Sequence, residues 1–190
     1  MFNDFSHRHT GCMVDGQANK VILSRDSRAS SVIGKEYMYN GVFAPNSPVQ
    51  NGSLVETEDS FFVQTLRLTV EKDKYCSLIK TNAAVDVHRL SRTYDSNDNP
   101  IGVTFQTVQV NAKAFAQYVT ARLRQEDPGL LPTTVYVLQL QANVDVRKPQ
   151  DPTLISPDRI VMNGRPYQVD AVDDVKYPNL LYVQLSEDLR

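Results

Sequence analysis

From Gln64 to Glu71 the chain changes character at every residue: Gln64, Leu66, Leu68 and Val70 alternate with Thr65, Arg67, Thr69 and Glu71. A period of two places one set on each face of a strand, so one face is buried and the other is wet. The pattern returns further on, where Leu138, Leu140, Ala142, Val144 and Val146 alternate with Gln139, Gln141, Asn143, Asp145 and Arg147. Shorter β-rich runs lie around these two: Val21–Ser24, Glu36–Tyr39, Val85–Leu90, Val103–Val108, Ile160–Met162, Tyr167–Val169 and Leu180–Leu185. Strands that follow strands, about seven to nine of them, predict a mainly β fold, an antiparallel barrel or sandwich.

Turn residues punctuate these runs. Asn40-Gly41 and Asn163-Gly164 are favoured hairpin pairs, and Asp95-Ser96-Asn97-Asp98-Asn99-Pro100 is the polar tip of a long hairpin. Asn111 reads as an N-cap, with Ala114, Phe115, Tyr118, Val119 and Leu123 at helical spacing behind it until Pro128-Gly129. That predicts one helix, Asn111–Gln125. Residues Met1–Gly16 lack periodicity and read as an extended arm outside the core. The loop Ala44–Ser53, rich in Pro, Asn and Gly, is the strongest candidate boundary. The expected organisation is one compact domain, with an N-terminal arm and extra β-hairpin over 1–53 and the β-barrel core over 54–190.

A formal net charge of −2 gives the whole molecule no pull on phosphate backbones, so direct DNA binding is not expected. No stretch approaches the roughly 20 apolar residues that span a bilayer, and Met1–Lys20 lacks a signal peptide's apolar centre. A cytosol-like compartment follows, with Cys12 and Cys76 as thiols. His7, His9 and Cys12 offer zinc-ligating atoms, but a structural site wants four ligands and no C-x2-C pair is present. No metal or cofactor is expected.

Catalytic signatures are missing as well. No nucleotide-binding glycine loop, G-x-S-x-G or H-E-x-x-H occurs, and His88, between Val87 and Arg89 on a strand, has no orienting nucleophile. Asp170, Asp173 and Asp174 cluster without a calcium-loop glycine and read as solvated turn carboxylates. The chain is read as no enzyme.

Two stretches carry a resemblance. One is the hairpin Val87-His88-Arg89-Leu90-Ser91-Arg92-Thr93-Tyr94-Asp95-Ser96-Asn97-Asp98-Asn99-Pro100. The other is Pro157-Asp158-Arg159-Ile160-Val161-Met162-Asn163-Gly164-Arg165-Pro166-Tyr167-Gln168-Val169, with a closing apolar strand behind it. Together, over residues 59–190, they resemble the head-closure (stopper) and neck proteins of tailed bacteriophages, small β-barrels stacked as rings between portal and tail.

The resemblance implies a structural virion protein of the phage neck, assembled in the bacterial cytoplasm, whose ring joins head to tail and helps retain the packaged genome. Its partners would be further copies of itself, with a hexamer favoured over a dodecamer, a portal or adaptor ring, and a tail terminator or tail tube. DNA would pass through the channel without specific binding, and no membrane is involved. Closed rings use head-to-tail contacts between two different patches. The exposed segments that could supply them are Asp95, Asn97, Asp98 and Asn99 at the tip and Arg147, Lys148 and Asp151 in the proline-rich loop. Asp158, Arg159 and Arg165 beside the last hairpins, and Phe2, Phe5, His7 and His9 in the arm, complete the candidate set. A tail-terminator or tail-completion protein is the nearest alternative, for which the helix Asn111–Gln125 counts. A β-sandwich binding module presenting Tyr37, Tyr39, Tyr94 and Tyr182 is the second.

Overall fold

The computed structural model describes residues 2–27 and 33–190. Instead of one barrel it has two closed antiparallel ones, each in its own compact unit. The first unit ends at Asn82 and also takes in Asp174–Leu181; the second comprises Ala83–Asp173 and Tyr182–Arg190. The boundary therefore falls at Asn82/Ala83, and the loop Ala44–Ser53 lies inside the first unit.

The first barrel is built from β1 (Thr10–Val14), β2 (Gln17–Arg25), β3 (Met38–Phe43), β4 (Leu54–Glu56), β5 (Ser60–Leu68) and β6 (Lys74–Lys80). Their order is β1-β2-β3-β6-β5-β4, and the pairs Met13↔Glu56 and Val14↔Val55 close it. Phe43, Val55, Phe61, Val63, Cys76 and Leu78 fill its interior with Cys12, Val14 and Val21. The residues expected to form a free arm are thus partly core. Cys12 and Val14 stand alternately inward on β1, and Phe2, ahead of a 3-10 helix over Asn3–Arg8, is buried beside Ile22 and Val42. A five-residue strand is too short for its alternation to show against the polar residues around it.

Asn40-Gly41 is not a turn but the middle of β3, which pairs with β2 through Ile22↔Val42 and Leu23↔Gly41. Gly41 serves close packing: a Cβ there would stand 2.8 Å from Leu78 Cδ1. The alternation through Val70 also stops early. β5 ends at Leu68, Thr69 N donates to Asp73 O at 2.9 Å, and Val70 is fully exposed in the turn.

The second barrel uses β7 (Ala83–Tyr94), β8 (Pro100–Tyr118), β9 (Tyr136–Gln141), β10 (Arg159–Met162), β11 (Arg165–Asp173) and β12 (Leu180–Glu187). Their order is β10-β11-β12-β9-β8-β7, closed by β10 on β7. Asn163 (φ 52°) and Gly164 (φ 74°) make the expected hairpin turn between β10 and β11. The long hairpin with a polar tip is also present, as β7 and β8.

The expected helix Asn111–Gln125 is overturned: β8 runs on to Tyr118, and only α1 (Ala121–Glu126), capped by Thr120, is α-helical. Asn111 has φ 53° and sits in a bulge, where the register steps from Val87↔Gln109 to Val85↔Ala112 and Asp86 Oδ1 accepts from Asn111 N. Asn suits both a cap and a left-handed bulge, and that ambiguity misdirects the sequence reading. β9 likewise stops at Gln141, although Val144 and Val146 remain buried in the irregular segment that follows.

Candidate assembly surface

The part of the molecule that leaves its barrel is the outer half of β7–β8. β10 accompanies β7 only over Val85–His88, and β9 accompanies β8 only over Phe115–Tyr118. Beyond those points, among the described residues, Leu90↔Phe105, Ser91↔Thr104, Arg92↔Val103, Thr93↔Gly102 and Tyr94↔Pro100 pair only with each other, a two-stranded ribbon about 15–20 Å long at the usual strand rise.

Alternation gives the ribbon two unlike faces. Leu90 and Arg92 share one with Phe105, Val103 and Ile101; Ser91 and Thr93 share the other with Gly102 and Thr104. Ile101 is 67% and Val103 57% exposed, and Tyr94 and Val110 are exposed too. Ile101 and Val103 thus form adjacent exposed aliphatic surface on the ribbon.

The tip is ordered by its own side chains. Asp95 Oδ1 accepts from Asn97 N at 2.8 Å and Asn99 N at 2.9 Å, and its Oδ2 accepts from Asn99 Nδ2 at 3.1 Å. These bonds, those from Asn99 first, hold the Asp95 carboxyl below the usual range. Asp98, at φ 60°, is exposed at the turn.

Two arginine clusters anchor the ribbon's base. Arg89 donates from Nε and Nη2 to the two oxygens of Asp158, both at 2.9 Å, and from Nη1 to Asp145 Oδ2 at 2.9 Å. Arg147 N adds a bond to Asp158 Oδ2 at 3.0 Å. The bond to Asp158, opposed by desolvation and aided by Asp145, raises the proton affinity of Arg89 further, while Arg89 holds Asp145 down. In the second cluster Arg159 lies 3.6 Å over the Phe105 ring, with Arg190 5.3 Å from its centroid. Asp188 accepts from Arg159 Nε at 2.6 Å and from Arg190 Nε and Nη2 at 2.9 Å. Burial pushes the Asp188 carboxyl up, but its bonds to Arg190 and Arg159 outweigh that and hold it well below the usual carboxylate range.

The sequence-predicted residues are thus divided. Asp95, Asn97, Asp98 and Asn99 form the ribbon tip, and Arg165 is exposed at the start of β11. In the proline-rich loop Asp151 Oδ1 accepts from Thr153 N and Oγ1, which holds its carboxyl down, and Arg147 Nη1 donates to the same hydroxyl. Lys148 O accepts from Asp151 N in that turn. Asp158, expected at a partner surface, is instead fully buried under Arg89, and Arg159 is engaged by Asp188 and Phe105.

In the N-terminal segment Phe2 stacks on His9 at 4.1 Å and donates its N–H to Asp73 Oδ2 at 2.8 Å, so it too is occupied within its own unit. Phe5 and His7 are exposed. Asp170, expected to be a solvated turn carboxylate, lies on β11 and accepts from Gln168 Nε2 and Ser186 Oγ. His88 stands on β7 opposite Thr107 and Arg159. Cys12 and Cys76 are both in the first barrel's core, where burial pushes their thiols up to about 11 and about 12.

The sequence reading missed Ile101, Val103 and Val110. The alternation of Ile101, Val103 and Phe105 was the available signal, and an inward-facing strand writes the same pattern. It also missed a groove of about 390 Å3 on the first unit, between Phe2, Ala18 and Ala44 with Asn19, Lys20 and Asn46 at its rim. No protein-family model matches the chain, and no curated protein matches it.

Proposed function

We propose that this chain is a structural subunit of a tailed-bacteriophage neck, a head-closure or connector protein whose ring joins the portal to the tail and helps retain the packaged genome. The observation that carries the reading is the outer β7–β8 ribbon: a strand pair that leaves a closed barrel with an apolar face and a pre-ordered polar tip. An element of that kind is suited to reaching a neighbouring subunit rather than to holding a small substrate. Closure removes free edges within each barrel, so the strand edges left open are those of the outer β7–β8 ribbon. The mild negative charge suits a channel wall along which DNA slides. In this reading six copies form the ring, the assembly takes place in the bacterial cytoplasm, and the chain performs no catalytic step.

The tail-terminator alternative drew on a helix over Asn111–Gln125, and that segment is mostly strand, so no observation now favours it. The test is the mass of the purified protein by light scattering and native mass spectrometry, followed by electron microscopy of any assembly. Rings of six or twelve copies support the connector reading. A strict monomer at every concentration, alone and with portal or tail complexes added, overturns it.

A further inference from the structure

A two-stranded ribbon is marginally stable in water by itself. The outer part of β7–β8 adds to that a face bearing Leu90, Ile101 and Val103 beside Arg92, with no further strand of the described residues next to it. On the first unit the groove lined by Phe2, Ala18 and Ala44 together with Asn19, Lys20, Asn46 and Ser47 has a volume of about 390 Å3, in the range that accommodates small ligands and hence a pair of branched side chains.

We propose that the groove of one copy receives the ribbon of a second copy. Ile101 and Val103 seat against Phe2, Ala18 and Ala44, and the tip carboxylates face Lys20. The inference rests on the reading of the chain as a ring subunit and names the contact that would build the ring.

Charge selects a second copy as the occupant. From Leu90 to Phe105 the ribbon carries Arg92 opposite Val103, but its tip, Asp95 to Asn99, holds two carboxylates and no Lys or Arg, whereas the charged residue among the described residues lining the groove is Lys20. Apolar surface meets apolar surface, and an acidic tip meets a basic rim. The two patches are also different surfaces of one chain, so their contact is head-to-tail, the kind that closes into rings.

Area adds a consequence. A ribbon face about 20 Å by 10 Å buries roughly 400–600 Å2 over both partners, below the roughly 1,200–2,000 Å2 of a stable pair. A lone dimer through this contact is weak, and ring closure, which makes the last contact intramolecular, stabilises the whole. Assembly is therefore steeply dependent on concentration.

The test uses two variants of the full chain, each altered only at exposed residues and checked for folding by circular dichroism. Ile101→Asp with Val103→Asp spoils the ribbon; Ala18→Glu with Lys20→Glu spoils the groove. Native mass spectrometry and light scattering should find each variant alone monomeric where the wild type assembles. Mixed one to one, the intact ribbon of one should enter the intact groove of the other, and the complex should stop at two chains. Wild-type assembly by either variant, or a mixture that grows beyond two chains, overturns the docking pair and leaves the assembly reading standing; the two-chain complex, weak by its area, is sought at the highest concentration at which the wild type assembles. A wild type that is monomeric at every concentration overturns both.

Discussion

Arg89 holds the fully buried carboxylate of Asp158 with two parallel hydrogen bonds of 2.9 Å, joining β7 to the segment that enters β10 across 69 residues of sequence. The same guanidinium reaches Asp145 Oδ2 at 2.9 Å, so three separated parts of the second unit converge on one side chain. Removing one partner of a buried pair leaves the other charge desolvated and unmatched, at a cost of about 3–5 kcal/mol. Arg89→Ala should therefore lower the stability of the second unit by about that amount in denaturant unfolding. Arg89→Lys should recover only part of it, because an ammonium cannot make the paired fork. A loss of under about 1 kcal/mol for Arg89→Ala would place the pair among ordinary surface bridges.

Asp188 sets an acid limit. Its folded-state pKa lies well below the unfolded value, so its contribution is fully present above the unfolded pKa of about 3.9 and is lost as pH falls through the folded value. The melting temperature should fall as pH is lowered from about 5 towards 2, with Asp145 and Asp95, also depressed, adding to the slope. In Asp188→Asn the fall over that window should be shallower than in the wild type. Equal slopes for the two proteins would mean that Asp188 gains nothing from Arg159 and Arg190.

The two thiols give a probe of the first barrel. Burial pushes Cys12 up to about 11 and Cys76 up to about 12, and the thiolate is the reactive form. A disulfide reagent at pH 8 should leave both unmodified in the folded protein and titrate both in denaturant. Rapid labelling of Cys12 under native conditions would show that β1 detaches from the barrel.

What could be read from the sequence follows the range of the interaction concerned. Asn163-Gly164 identified its turn because the left-handed φ of both residues is a local requirement. The β7–β8 hairpin and the Asp95–Pro100 tip are legible for the same reason, since Asp95 bonds residues two, three and four positions on. The division into two barrels was not, because closure depends on pairs such as Met13↔Glu56 and Ile160↔Val87 that no local pattern announces. Asp158 reads as a surface group from sequence because its partner Arg89 is distant along the chain. Phe2 reads as part of an arm because its cover, Ile22 and Val42, comes from strands that short-range patterning does not bring to it.

Two glycines with positive φ separate backbone strain from crowding. Gly164 has φ 74° with open space where a Cβ would stand, so Gly164→Ala meets only the left-handed penalty of about 1–2 kcal/mol. Gly52 has φ 80°, and a Cβ there would collide with the backbone O of Asn179, whose Nδ2 donates to Asn51 O at 3.0 Å. Gly52→Ala therefore carries the same backbone penalty and must also displace main chain, which cannot rotate aside as a side-chain end can. Chemical denaturation should find Gly52→Ala the more destabilised of the two. Its excess should shrink in the double variant with Asn179→Gly only if the side-chain Cβ, 2.5 Å away, contributes beside the carbonyl. Equal losses for Gly52→Ala and Gly164→Ala would mean that the segment bearing Asn179 yields freely.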